Sequence, residues 1–469
     1  MIQIMGPGNE EVYKPVHGPA DRRNLMRSKI SILVLLFLLA GIASTALTKE
    51  KKFPIDGSVT NRYKMRSTGE IADHDWETML SLNWHNPNVD RFSAAVSGGG
   101  IFDIDGKGND RFFTDIYNSF SGNGVGRLYY AWLNANRLGP VANARAGRQH
   151  LYQLDSLYFD GASLESVPYY GVTFNAFGGS PVHLFENQIG IDPGDWVLGG
   201  GLQWVPISKI RIRYDYVHLK DKITGFRITQ ADQEDDLMGG SIWFNVSDHV
   251  SLFGRLTSFT DQLRDVEGSS TLRYPDHKLT VRLNVRRLLE SYAVRVIDWD
   301  AYGIAGSYRP YTEGSLGVTK GLGEKFVIDG GMAIRRLDDR QFASSFNHGF
   351  EKIYAAAASN DVPFKGLELS TGIDYYRGED STLKNNSFGV SASAHQNLFK
   401  KKLRVGGGTA HYLYRYNLLA GDESRDVQVY FAEAEAKIAK PLKAKAHYEF
   451  ENNDYNGFHT FTVGVTWNF

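Results

Sequence analysis

The last nine residues, F-T-V-G-V-T-W-N-F at 461–469, decide the fold. Phe461, Val463, Val465, Trp467 and Phe469 fall on one face; Thr462, Gly464, Thr466 and Asn468 fall on the other. A strict period of two is a strand with one apolar and one polar side. The segment closes on an aromatic residue at the chain terminus itself, where a water-soluble sheet gains little.

An alternating last strand ending on Phe resembles the C-terminal signature of bacterial outer-membrane β-barrels. The resemblance implies that Phe461, Val463, Val465, Trp467 and Phe469 form an assembly signal read by the barrel-assembly machinery. It also implies an outer face in contact with outer-membrane lipid.

The same dyad runs through the body of the chain. In 210–217, Ile210, Ile212, Tyr214 and Tyr216 oppose Arg211, Arg213 and Asp215. In 279–286, Leu279, Val281, Leu283 and Val285 oppose Thr280, Arg282, Asn284 and Arg286. In 432–438, four apolar residues oppose Glu433, Glu435 and Lys437; in 442–450, Lys443, Lys445, His447 and Glu449 form the polar row. A soluble β-sandwich also alternates, so the dyad needs the other signals beside it. Short gaps (87–91, 138–141, 205–209, 246–249, 320–325, 397–402, 440–442) interleave with long polar ones (103–125, 178–195, 219–236, 260–277, 337–347, 377–386, 418–425). That asymmetry fits short periplasmic turns and long external loops. The expected fold is all-β: a transmembrane antiparallel up-and-down β-barrel of about 22 strands, within a range of about 18 to 24 for boundaries read by eye. Both termini are then periplasmic. The stretch 299–323 reads as either one long strand or two short ones.

At the other end, Arg22, Arg23, Arg27 and Lys29 precede an apolar run, Ile30–Ala43, and small residues Ser44 and Ala46 follow. This is the layout of a secretory signal peptide, with cleavage expected after Ala46. The run has 14 residues, short of the roughly 18 needed to span a bilayer. The expected start is Met26, with 1–25 a mis-called extension. Residues 47–57 form a polar periplasmic linker and 58–469 the barrel. That leaves no room for an N-terminal plug. A barrel of this size is narrowed by infolded loops, occupied by another protein, or smaller than the tally.

Net charge is −1, from 52 Lys and Arg against 53 Asp and Glu, which gives no support for nucleic-acid binding. There is no Cys, so neither a disulfide scaffold, a thiolate metal site nor c-type haem attachment is possible. Twenty-five Tyr, 27 Phe, 8 Trp and 49 Gly match interfacial girdles and small lumen-facing positions. No cofactor is expected.

Gly147-Arg148-Gln149 on one strand is followed by Phe159-Asp160-Gly161 on the next. This pair resembles one that recurs in substrate-specific and alginate-export-type porins, and the resemblance implies that Arg148 points into the pore. The expected pore-lining charges are Arg148, Arg211, Arg213, Asp215, Arg282, Arg286, Arg295, Glu433, Glu435, Lys443, Lys445 and Glu449. They give either a net cationic lumen that favours anions or a mutually paired network; without the register both remain open. Asp103, Asp105 and Asp110 make a weak Ca²⁺ candidate in a glycine-rich segment, without the EF-hand spacing. No nucleophile–base pair or H-E-x-x-H motif is present, so an outer-membrane enzyme is not expected. The primary expectation is a porin for small hydrophilic solutes or anions. The rival is a sleeve around a multihaem cytochrome in a trans-membrane electron conduit.

Overall fold

The computed structural model describes residues 55–469 except 70, 86–90, 106–123, 153, 155, 183–193, 224–230, 261, 290–309, 340–348, 379–386, 418–421 and 455. The expected signal peptide, Arg295 and Asp110 lie outside the described residues.

The chain forms 22 antiparallel strands in one sheet. They are β1 (Ile55–Thr68), β2 (Ile71–His85), β3 (Phe92–Asp103), β4 (Gly124–Leu138), β5 (Val141–Tyr152), β6 (Ser156–Ser166) and β7 (Val172–Pro181). Next come β8 (Trp196–Ile207), β9 (Ile210–Ile223), β10 (Ala231–Asn245), β11 (Val250–Phe259), β12 (Gln262–Tyr274), β13 (Leu279–Leu288), β14 (Tyr311–Leu322) and β15 (Phe326–Leu337). The last are β16 (Phe350–Asn360), β17 (Leu367–Gly378), β18 (Ser387–Leu398), β19 (Leu403–Asn417), β20 (Asp422–Lys437), β21 (Leu442–Asn452) and β22 (Gly457–Asn468). Each strand pairs with its sequence neighbours, and β22 pairs back onto β1, Val59 opposite Trp467 and Met65 opposite Phe461. Closure leaves no strand without a partner on each side, the requirement for a sheet that spans hydrocarbon, although β4 and β5 pair over only part of their length.

An even strand number puts the start of β1 and the end of β22 at one rim, the terminal rim. Connections there are short: 139–140, 208–209, 246–249, 323–325 and 399–402. The long ones, 104–123, 182–195, 289–310 and 338–349, all leave the opposite, far rim. Two expected long gaps are corrected. Residues 260–277 hold β12, paired on both sides; Gly268 and Ser270 on its outward row obscure the alternation. Residues 219–236 shrink to 224–230, because β9 and β10 pair out to Ile223 and Ala231. β1 starts at Ile55, within the expected linker, and one strand, β14, accounts for the described part of 299–323.

The register carries one face around the wall. From Val463 and Val465 the outward row runs through Tyr63, Trp76 and Leu80 to Tyr214 and Ile242, and on to Ile373, Val390 and Tyr430. Trp196 and Trp204 mark the two ends of the outward row of β8, as an interfacial girdle would. The charged rows face the lumen.

Candidate functional site

Among the described residues the lumen wall carries most of the charged rows, and its two halves are built differently. On one side, β5 and β6 leave the wall. β4 and β5 pair only between Leu138↔Val141 and Ala131↔Arg148; above that level β4 pairs with β3 alone. The departure is marked by three glycines side by side, Gly147, Gly161 and Gly179. Gly147 has φ +118°, and a Cβ at any of the three would collide with a neighbouring backbone carbonyl, so only glycine allows this close approach.

Above this row the β5–β6 hairpin turns into the lumen. Its Leu154, Leu157 and Phe159 pack with Phe177, Val197, Val217, Leu219 and Leu237, and Leu151 and Phe259 lie against the cluster. Val217 and Leu219 continue the inward row of Arg213 and Asp215. A Cβ at Gly239 of β10 would lie 2.5 Å from Leu154 Cδ2, so the hairpin tip reaches across four strands of the inner wall. Of the three expected ways of narrowing the barrel, an infolded segment is thus present among the described residues, at β5–β6.

Arg148 sits in the seam left where β5 parts from β4. Its Nε and Nη2 donate to the two Asp160 carboxylate oxygens, each at 2.8 Å, and Nη1 donates to the Leu128 carbonyl at 3.2 Å. Tyr158 donates to the same carbonyl at 2.7 Å and also meets that of Tyr129. These side chains satisfy carbonyls of β4 that β5 no longer pairs. Arg148 is 0% and Asp160 3% exposed, so Arg148 presents no charge to a pore, unlike the arginine implied by the porin resemblance. Gln149, on the adjacent row, is bridged by Ser163 and reaches the Gly161 carbonyl.

Beside the hairpin, one inward level reads Arg255, Glu267, Arg286, Glu313, Arg335 on successive strands β11 to β15. Alternating signs on adjacent strands attract across the sheet. Arg255 meets Glu267 at 3.0 Å and Arg335 meets Glu313 at 2.6 Å. Asp265, fully buried, gathers Arg264 at 2.9 Å, Arg286 at 3.7 Å and Arg255 at 3.9 Å. Asp265 is hidden from the sequence because β12 reads as a loop, and Arg255 because its partner Glu267 lies on that strand.

On the far side of the lumen, β17–β21 carry a wetter network. Glu433 lies 3.1 Å from His395, 3.3 Å from Arg404 and 3.4 Å from Lys445. Arg404 also pairs with Glu368 at 2.9 Å, and His447 approaches Glu449 at 3.8 Å. Arg213 donates to the buried Asp215 at 2.6 Å. Arg211 stacks on Trp243, 4.1 Å from the ring centroid. Among the described residues, Arg211, Arg282, Lys443 and Glu435 make no ion pair.

A third cluster lies near the far rim on β1–β3. Arg66 bonds Asp73 at 2.9 Å and Asp75 at 3.3 Å. Asp73, Asp103 and Asp105 can bring one oxygen each within 4.8 Å of one another. The structure thus joins two of the three expected Ca²⁺ candidates to Asp73, while Asp110 lies outside the described residues. The Arg66 guanidinium already meets the Asp73 charge. Phe461, Val463, Val465 and Trp467 form the outward row of β22, and Phe469 follows its last residue.

The chain matches no protein-family model and no curated protein. Solved structures do match. A variant of the ferric enterobactin receptor PfeA of Pseudomonas aeruginosa is 10% identical over 90% of this chain and 81% of its own, with a TM-score of 0.55. The siderophore receptor PirA of the same organism is 12% identical over 90% and 82%, TM-score 0.53. OccAB4 of Acinetobacter baumannii is 10% identical over 88% and 97%, TM-score 0.44. The first two establish the fold alone, a closed antiparallel β-barrel; the third is too distant in shape to carry an argument.

Proposed function

We propose that the chain is an outer-membrane channel for passive diffusion of small hydrophilic solutes, with its aqueous path on the β16–β22 side of the lumen. The supporting observation is the asymmetry of the wall. The inner face from β7 to β11 is covered by the dry β5–β6 hairpin, while that of β17–β21 presents partly exposed charges and small residues. Small residues and water-facing charge are what a polar conduit uses. Short turns at the terminal rim support placing that rim in the periplasm.

Inward cations without an ion pair among the described residues include Arg145, Arg211, Arg282, Lys352, Lys437 and Lys443, against Glu165, Asp329, Asp374 and Glu435. The channel is therefore expected to favour anions. Planar-bilayer recordings of the purified protein under a salt gradient test this: open-channel current with an anion-selective reversal potential is expected. Absence of current, or cation selectivity, overturns the reading.

One observation favours a second reading, a sleeve around a haem-bearing electron-transfer protein. Twenty-two-strand barrels enclose a lumen that is otherwise plugged, and the hairpin cluster contacts the inner wall only as far as β11. Haem staining of proteins co-purified from native membranes tests it. A haem protein in one-to-one amount is expected if the sleeve is right.

A further inference from the structure

We propose that the outer face of β15–β19 binds one anionic phospholipid of the leaflet at the terminal rim, with an acyl chain in a groove and the headgroup phosphate on lysines of the adjoining turns.

The groove is a concave volume of about 580 Å³. Its walls include Phe326, Ala357, Leu369, Thr371, Ala394 and Gly407, all on the outward row by the strand register. Elsewhere the outward face near this rim carries Leu133, Leu164, Phe174 and Trp204, all exposed. Small side chains on β16–β19 make a depression in a wall that is otherwise studded with large ones. The groove residues lie one to seven positions along their strands from the turns. At about 3.3 Å per residue along strands tilted by about 45° this is within about 16 Å of the rim, close to the half-thickness of a roughly 30 Å hydrocarbon core. The depth suits an acyl chain and not a longer object.

The two turns that end these strands are 361–366 and 399–402. They carry Lys365, Lys400, Lys401 and Lys402, all exposed and none in an ion pair with a carboxylate among the described residues. On the other half of the rim, turns 139–140, 167–171, 208–209 and 246–249 contain a single lysine, Lys209. The positive charge is thus placed where the groove opens. Phe364 and Phe399, 69% and 73% exposed, stand beside the lysines, the level at which aromatic side chains meet headgroups. Gln396 ties the two turns together by donating to the Lys365 carbonyl at 3.0 Å. Basic clusters at a membrane surface recognise anionic headgroups.

This inference needs only that the outer face meets a bilayer, not that the lumen conducts, so the two readings fail separately. The test is native mass spectrometry of the full-length protein incubated with equal phosphatidylglycerol and phosphatidylethanolamine. One phosphatidylglycerol is expected to be retained at least tenfold over phosphatidylethanolamine. The triple change Lys400→Glu, Lys401→Glu, Lys402→Glu should remove that preference. Ala394→Trp, and independently Thr371→Trp, should remove the bound lipid by filling the groove. Lys209→Glu on the opposite arc should leave retention unchanged. Equal retention of the two lipids, or phosphatidylglycerol retention that survives both the charge reversal and groove filling, overturns the proposal. So does a dimer that the groove-filling variants dissociate, since that outcome gives the groove to a second copy of the chain.

Discussion

The β5–β11 side and the β16–β22 side of this barrel obey the same alternation and end as opposite kinds of wall. On β16–β22 the inward row is charged or small, as the rule for a water-filled barrel requires. On β8–β10 the inward row changes partway along: Arg213 and Asp215 give way to Val217 and Leu219, with Val197 and Leu237 beside them. Apolar residues on a lumen face would be a fault if water met them. Here they are the seat of the infolded hairpin, and their burial offsets the strand pairing lost between β4 and β5. An inward row is therefore polar only where nothing of the protein covers it.

The largest expected effect tests the buried seam. Asp160→Ala leaves the Arg148 guanidinium buried without a counter-charge, a loss of about 3–5 kcal/mol. Glu368→Ala, which breaks the partly exposed pair with Arg404, should cost no more than about 1 kcal/mol. Urea unfolding of the folded barrel, followed by gel mobility with and without heating, compares the two. Similar losses would erase the distinction between the two sides.

Leu157→Ala probes the hairpin core. Truncating a fully buried Leu costs about 2–5 kcal/mol, and loosening the hairpin should also raise single-channel conductance. Lower stability with unchanged conductance would mean that the hairpin packs on the wall without narrowing the path.

The two faces of the wall give the next contrast. Ile212→Arg puts a charge on the outward row of β9, at about 2–4 kcal/mol if near the bilayer midplane, and the yield of heat-modifiable barrel should fall. Arg282→Glu, on an inward and exposed position of β13, should leave that yield unchanged and move the reversal potential toward cations. A matching assembly defect in both would show that the wall does not divide lipid from water.

The smallest effect belongs to the wet side. Lys443→Glu should leave stability within about 0.5 kcal/mol and reduce anion preference by less than Arg282→Glu, because Lys443 lies near the open terminal rim. A larger shift from Lys443 would move the selective level from mid-wall to the rim.

Much of this architecture is legible in residue order alone. A period of two needs no partner to be recognised, so Phe461–Phe469, Ile210–Val217 and Leu442–Phe450 declare both their strand and their two faces. Turn residues set the rhythm of short and long connections, and with it the expectation of about 22 strands. β12 escaped because Gly268 and Ser270 interrupt its outward row between Val266 and Leu272. The sequence also placed Arg148 and Asp160 on adjacent strands, without revealing that they meet in a sealed seam.

What only the tertiary structure decided is which inner charges meet and where the sheet leaves its own wall. The belt Arg255–Glu267–Arg286–Glu313–Arg335 depends on the register of five strands. A slip of one residue in any of them would replace attraction by a change of face. The infolded hairpin depends on Leu154 reaching Gly239 across three intervening strands, a contact with no signature in local periodicity. The grouping of Asp73 with Asp103 and Asp105 arises in the same way, from strands separated in the chain and joined by pairing. Periodicity fixes the direction of a side chain relative to its own strand. The partner it finds there is fixed by long-range closure and packing, which no local stretch of this sequence encodes.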